Sequence, residues 1–336
     1  MSQDIPDSVV VPDNLPDLES IRATAKQIAP HIRTTPYLEN YGATLAQQLP
    51  DVDLQLKLEL FQQTGSFKAR AAVAIVQGLS DAAKAQGVTA FSAGNHAIAT
   101  AYAAAVGGVS AKVVMPSSAN PYRVKTCQQY GAEVVLADSI ADARLLVERL
   151  QQQEGRTPIH PFEGVTTTLG TATLGLEIAD ADPQLQAVVV PVGGGGLISG
   201  IACAIKRVNP SCRVIGVEPE GACGMSQSLQ QGSALDTVNV NTIADSLGAP
   251  LHLPYSYGIV KSCVDEVVTI SDEQMRSMMR TMFEDLNLAV EPAGAAALAA
   301  ICGPLKDSLS GCRVAAVVCG SNMDRGTWLE LTDQAS

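Results

Sequence analysis

The sequence predicts an α/β fold built on mainly parallel sheets, and three observations carry that prediction. Short apolar runs alternate with helical stretches through most of the chain. Two of these alternations, residues 86–111 and 187–205, hold no Asp, Glu, Lys or Arg, as expected for strands covered on both faces and joined by glycine loops to packed helices. The composition, with 28 Gly and only 4% aromatic residues, suits close helix-on-sheet packing. At 336 residues and 46% hydrophobic, the chain can bury a core, is not globally disordered, and is long enough for about two domains.

Taken in order, Asp17 is placed to cap a helix with Leu18, Ile21, Ala25 and Ile28 on one face and Pro30 as its stop. Residues 53–60 alternate strictly, with four leucines on one side and Asp53, Gln55, Lys57 and Glu59 on the other, which predicts a half-buried strand. A loop over 61–65 leads to an Ala-rich helix from about Ser66. Strand 88–91 precedes a helix from Asn95, strand 111–115 a helix after Pro121, and strand 134–136 a helix over 142–152. A helix over 168–180 follows. Strand 187–192 then passes through four glycines into helix 197–208. Strands 213–218 and 264–270 come next, and Ser271 opens a helix with a capping-box pattern to Gln274. Helix 292–302 and strand 313–319 complete the pattern.

Charge narrows the partners. Lys and Arg total 22 against 34 Asp and Glu, a net charge of −12, so neither a nucleic-acid groove nor docking on anionic lipid is expected. Residues 1–17 are acidic and proline-broken and read as a mobile lead-in without a signal peptide. The uncharged runs are interrupted by Pro191 and the glycines in one case, and by Asn95 and His96 in the other, so no membrane helix is expected. The eight cysteines form no C-x-x-C pair, which favours free thiols in a reducing cytoplasm.

Four loops carry chemistry. The stretch 63–70 sets Lys68 just inside a helix that follows a strand, where its charge opposes the helix dipole. An amine with a depressed pKa there can form a Schiff base. The stretch 192–200 runs strand, four glycines, helix, so converging N–H groups could hold a phosphate without Lys or Arg, although a tight packing turn would look the same. It does not fit the G-x-G-x-x-G dinucleotide pattern. Ser92-Ala93-Gly94-Asn95-His96 could clamp a carboxylate at a helix start, or Asn95 could simply cap that helix. Residues 318–322, with Cys319, end the last strand, and ligands of open α/β sheets lie at the carboxyl ends of strands.

These loops occur together in one order: TGSFKAR, SAGNHA, VPVGGGGLISG, EPAGAA and CGSNMD, with IHPF at 159–162, GVEP at 216–219 and IAD at 243–245. From about residue 18 to 325 the chain resembles the fold type II pyridoxal-phosphate enzymes, specifically the serine/threonine dehydratase and serine racemase group. The resemblance implies two open, twisted, mainly parallel sheets flanked by helices, as in tryptophan synthase β-like folds, with pyridoxal 5'-phosphate between the lobes. It implies a large domain from 18–86 and 164–336, a small domain over 87–163, and a homodimer. It assigns Lys68 as the Schiff-base lysine and Phe67 as its neighbour against the ring. Asn95 would bond the ring hydroxyl. Gly193, Gly194, Gly195, Gly196 and Leu197 would bind the phosphate, and Cys319 would face the pyridine nitrogen. Glu291 of EPAGAA falls with the cofactor-binding residues. Ser92, Ala93, Asn95 and His96 would take the carboxylate of a small amino acid substrate, with Arg144 as a lobe-closing arginine.

The chemistry implied is β-elimination from a 3-hydroxy amino acid, L-threonine or L-serine first, to a 2-oxo acid and ammonia. A neutral Cys319 makes the cofactor a weak electron sink, which suits loss of a β-hydroxyl. Four departures matter. Ala93 stands where serine racemases have a serine, which disfavours racemisation. Relatives with a Mg²⁺ or Ca²⁺ site use three ligands after the VEP strand, here Glu218, Ala222 and Gly224, so that site is weakened. Ser246 replaces a usual glycine, and Ile98 and Ala71 replace a common Gln and Gly; Ser246 and Ile98 are expected to reshape the pocket. The chain ends soon after the CGSNMD loop, so a biosynthetic threonine dehydratase's regulatory domain is not expected. Serine racemase, 3-hydroxyaspartate dehydratase and a β-replacement synthase are the competing activities.

Overall fold

The computed structural model describes residues 15–333. The lead-in expected over 1–17 therefore lies outside the described residues as far as residue 14. Ten strands follow in chain order: β1 Tyr37–Glu39, β2 Asp53–Leu58, β3 Val88–Phe91, β4 Ala111–Pro116, β5 Glu133–Ala137, β6 Thr157–Pro158, β7 Ala187–Pro191, β8 Arg213–Pro219, β9 Glu266–Ile270 and β10 Arg313–Val318. They form a six-stranded sheet, β1-β2-β10-β7-β8-β9, and a four-stranded sheet, β5-β4-β3-β6. Every pairing is parallel except β1 with β2. The α/β reading with two mainly parallel sheets therefore holds.

Helices cover the sheets, and the helices Asn95–Gly107, Val165–Ala181 and Pro292–Cys302 are buried along most of their length. Asp17 caps the helix Leu18–Ile28 by accepting from the Ser20 N–H, and the Ser271 capping box opens Asp272–Leu286 as its pattern predicts. The helix Val165–Ala181 crosses both Gly196–Val208 and Lys68–Gln77, and the latter packs on Asn95–Gly107. These crossings are close because glycines sit at them. A Cβ on Gly170 would lie 2.5 Å from the Ala71 Cα, and one on Gly200 2.4 Å from the Ala172 N. Lys68 thus starts a helix that reaches from the six-stranded sheet toward the helices of the four-stranded one.

Three expectations need correction. β2 is not half-buried: only Asp53 is exposed, and Gln55 and Lys57 are as hidden as the leucines. The strand is central, between β1 and β10, and its polar face meets the helix Val165–Ala181 instead of water, with Lys57 reaching Glu177. The helix expected from Ser66 begins at Lys68, because Ser66 is held in a bridge to Gly320. Asn95 is not a cap; Gly94 precedes the helix, and Asn95 is its first residue.

Candidate active site

The loop after β2 is stitched to the loop after β10. The Phe67 N–H donates to the Cys319 carbonyl at 3.1 Å, and the Ser321 N–H to the Gly65 carbonyl at 3.0 Å. Gly65 has φ +72, and a Cβ there would stand 2.5 Å from the Asn322 Oδ1. The stitching sets Lys68 beside Cys319. The Lys68 Nζ donates to the Pro161 carbonyl at 2.5 Å and lies 4.9 Å from the Phe67 ring centre. Burial pushes the Lys68 amine down to about 8, although Cys319 and Glu291 pull it the other way. Burial likewise holds the Cys319 thiol well above its ordinary range, so it is neutral.

The glycine loop follows β7. Gly195 adopts φ +92 and turns the chain into the helix Gly196–Val208. Phe162 fills the space that side chains would need: a Cβ on Gly194 would lie 2.3 Å from its ring, and one on Gly196 2.6 Å from its Cα. The bare backbone and the first-turn N–H groups, which have no partner within the helix, make this an anion cradle. One cavity joins Gly193–Leu197 to Phe67, Lys68, Asn95, Phe162, Glu291 and Cys319, with Ser246 and Leu247 on its wall.

Asn95 is fixed on every side. Its Nδ2 donates to the Glu291 Oε1 at 2.7 Å and to the Ser246 Oγ at 3.2 Å, and its Oδ1 accepts from the Asn322 Nδ2 at 2.7 Å. The second Glu291 oxygen is buried with no partner. Burial, reinforced by Asp245, pushes the Glu291 carboxyl up to about 7. His96 is turned away from the cavity. Its Nε2 lies 2.8 Å from the Ile159 carbonyl and so carries the ring hydrogen, and burial pushes it down to about 3. The Ser92 Oγ accepts from the Gly94 N–H, and the Ala93 carbonyl accepts from Arg123.

Other expectations do not converge here. Arg144 is exposed on the helix Ile140–Glu154 and does not line the cavity. Ile98 is 1% exposed inside the apolar cluster with Cys127 and Ile159, so it packs the core rather than the pocket. Both Glu218 oxygens are taken, by the N–H groups of Met225 and Ser226 and by the Ser226 hydroxyl. Ala222 and Gly224 add no side-chain ligand, and no group of three or more His, Cys, Asp or Glu among the described residues could hold a metal ion. The residues present do not fit the divalent cation.

Sequence reasoning missed Phe162 and Asn322 as site residues, though both sit in the IHPF and CGSNMD motifs. It also missed Arg123, whose one signal is that it shares a helix face with Cys127, four residues on. Behind Lys68 lies an ion cluster it did not foresee. Arg70 grips Glu59 through Nε and Nη2, both at 2.8 Å, and Glu177 at 2.7 Å, while Lys57 reaches Glu177 at 2.6 Å. Burial alone would raise the Glu59 carboxyl, but Arg70 holds it below its ordinary value.

The residues fit pyridoxal phosphate: a lone amine of lowered pKa, a bare glycine cradle for its phosphate, and the spare oxygen of Glu291. The chain matches the family model "Pyridoxal-phosphate dependent enzyme" over residues 28–320. It is 46% identical to phenylserine dehydratase of Ralstonia pickettii, over 94% of this chain and 95% of that protein. It is 38% identical to the catabolic L-threonine dehydratase of Staphylococcus aureus, over 93% and 89%. Maize serine racemase superposes with a TM-score of 0.88 at 34% identity, covering 94% of this chain and 97% of that one. The lysine loop, the glycine cradle and these likenesses agree, and the chain belongs to the pyridoxal-phosphate dependent enzymes of fold type II.

Proposed function

We propose that the chain is an ammonia-lyase that removes the β-hydroxyl and the amino group of a 3-hydroxy amino acid, giving a 2-oxo acid and ammonia. The observation that carries this reading is the buried Lys68 amine, set in one cavity with the glycine cradle. Burial brings that amine down to about 8, so its neutral form is accessible near that pH, while burial keeps Cys319 and His96 neutral. Ala93 offers no hydroxyl to serve a second face, so elimination is favoured over racemisation.

Bound in this cleft, the cofactor supplies a carbon that takes up the substrate amine and a ring that accepts the electrons of the Cα–H bond. The protein does the rest. Glycine N–H groups of 193–197 hold the phosphate, with the dipole of the helix Gly196–Val208 behind them. Lys68 would take the Cα proton, the departing β-hydroxyl would take up a proton and leave as water, and water would hydrolyse the enamine product to the 2-oxo acid and ammonia. Cys319 would hold the cofactor ring with an uncharged thiol. The start of the helix Asn95–Gly107, with Ser92 and Ala93 before it, receives the substrate carboxylate. Phe67 and Phe162 exclude water from the cavity.

L-Threonine and L-serine come first as substrates, and the Ralstonia relative's name puts phenylserine beside them. A panel of these with 3-hydroxyaspartate, scored for 2-oxo acid and ammonia, tests the reading. One equivalent of each product per substrate is expected. D-serine forming from L-serine faster than pyruvate would replace it with a racemase. Rapid thiol addition to O-acetylserine would replace it with a β-replacement synthase. The proposal includes a small lobe over 87–163 that closes on the large one, and a homodimer, which light scattering would check. It also includes a cytoplasmic setting, with which the eight free cysteines agree.

A further inference from the structure

The helix Pro121–Gln129 packs on Asn95–Gly107 and β5, yet its capping residue Asn120 and its Arg123 reach the loops of the other sheet. The Asn120 Nδ2 donates to the Asp324 Oδ2 at 2.7 Å. Arg123, 7% exposed, goes further. Its Nε and Nη2 donate to the Asn322 carbonyl at 3.2 and 3.1 Å, and its Nη1 to the Asp245 Oδ2 at 2.5 Å and the Ala93 carbonyl at 3.4 Å. Nη1 stands 3.6 Å from where a Gly94 Cβ would be. One guanidinium therefore joins the SAGNH loop, the IADS loop and the CGSN loop.

Two routes lead from it to Asn95. In one, Asn322 accepts from Arg123 through its carbonyl and donates through its side chain to the Asn95 Oδ1. In the other, Asp245 accepts from the Ser246 hydroxyl at 3.3 Å, and that hydroxyl accepts from the Asn95 Nδ2. Glu291 is the remaining partner, so two of the three groups that orient the Asn95 amide lie on routes from Arg123. A glycine at 246 would break the second route.

We propose that Arg123 is a positioning residue: it ties the four-stranded-sheet unit to the six-stranded one and orients Asn95 toward the cofactor through Asn322 and through Asp245 and Ser246. It stands between the two units, where the resemblance assigned Arg144. The five donors of a guanidinium suit it to three acceptors at fixed angles, which an ammonium cannot satisfy together. The inference rests on the cofactor reading throughout and on the lyase reading for its turnover arm alone.

The test uses the full chain, first without cofactor and then titrated with pyridoxal phosphate. Arg123→Gln is expected to weaken cofactor affinity by about tenfold and to shift the absorbance of bound cofactor. Arg123→Lys should recover part of the loss, since it keeps the charge beside Asp245. Asp245→Asn should cost a similar factor, and the double variant Arg123→Gln/Asp245→Asn no more than either alone. Ser246→Gly should cost less, because the Asn322 route survives. In turnover, a rise in KM beyond the fall in kcat is expected for Arg123→Gln. Unchanged affinity and spectrum with a lowered Tm would overturn the proposal in favour of a structural ion pair. So would additive effects of the two substitutions. If affinity and spectrum shift as expected but no 3-hydroxy amino acid is consumed, the proposal stands and the lyase reading falls.

Discussion

The Asn322 side chain donates to the Asn95 Oδ1 at 2.7 Å and to the Thr64 carbonyl at 2.6 Å, so one amide clamps the lysine loop and the SAGNH loop to the end of β10. Both its hydrogens are spent on buried acceptors. Asn322→Ala would leave both acceptors without that donor, at about 1–3 kcal/mol of stability. It would also free Asn95 to turn. Urea unfolding should show the loss, and cofactor titration should show weakened binding in the fraction that remains folded. Stability lost with cofactor affinity unchanged would mean that the clamp holds the fold alone.

Lys68 sets the pH dependence of cofactor attachment. Burial brings its amine to about 8 in the folded protein, from 10.5 when free. Only the neutral amine attacks a carbonyl, so the attachment rate of the cofactor-free protein should rise about tenfold from pH 7 to pH 9 and then level off. An ordinary lysine would rise about a hundredfold over the same range without levelling. Stopped-flow absorbance decides between the two curves. Lys68→Ala should abolish turnover and the absorbance of protein-bound cofactor; surviving turnover would reject the mechanism.

Glu291 should leave a signature in stability. Its folded carboxyl is raised to about 7 by burial, against 4.5 unfolded. Between those values the folded state binds the extra proton. Its favourable contribution is therefore complete below pH 4.5, is lost as pH rises toward 7, and is flat above. The buried His96, pushed down to about 3, adds an opposing slope. Subtracting the stability curve of Glu291→Gln isolates the carboxyl. The wild-type minus variant difference in cofactor-free protein should fall from pH 4.5 to 7, and a flat difference would show that Glu291 ionises normally.

What the sequence made legible was local. Strand, loop and helix succeed one another within a few residues, so the units around Lys68, Asn95 and the four glycines could be placed from spacing. The capping box at Ser271 and the helix Pro292–Cys302 needed only neighbours in the chain. What stayed hidden depends on distant partners. Lys57 and Glu59 alternate as a solvent face would, yet Arg70 and Glu177 neutralise them, and Glu177 lies 120 residues from Lys57. Arg123 reads as a surface charge until Asp245 and Asn322 arrive from the other sheet. Ile98 next to the SAGNH loop reads as a pocket residue, but it is buried in the core, where Cys127 and Ile159 from distant parts of the chain pack in the same cluster.

The glycine cradle should distinguish its members. A methyl on Gly196 meets the Phe162 backbone, at 2.6 Å from Cα and 2.7 Å from the carbonyl oxygen, whereas one on Gly194 meets only the Phe162 ring. A ring can turn or be removed, and a backbone cannot yield so cheaply. Gly196→Ala is therefore expected to cost about 1–3 kcal/mol and most of the cofactor affinity. Gly194→Ala should lose less, and Phe162→Ala should restore part of that loss but little for Gly196→Ala. Calorimetry with and without cofactor tests the contrast, and equal losses with equal rescue would refute it.

The ion cluster behind Lys68 offers the largest stability effect. Arg70 and Glu59 are both 0% exposed, and Arg70 also holds Glu177, which Lys57 shares. Arg70→Met removes one cation from a set of two and leaves Glu59 charged in a dry site, with only the Thr35 hydroxyl donating to it. A broken buried pair of this kind costs about 3–5 kcal/mol. Glu59→Gln added to Arg70→Met removes the stranded charge and should recover a large part of that cost, so the double variant should be more stable than Arg70→Met alone. Urea midpoints of the two proteins decide it. If the double variant is no more stable, Glu59 is not left as a stranded charge in Arg70→Met, and the cost of that substitution lies in lost hydrogen bonds and packing of Arg70 instead.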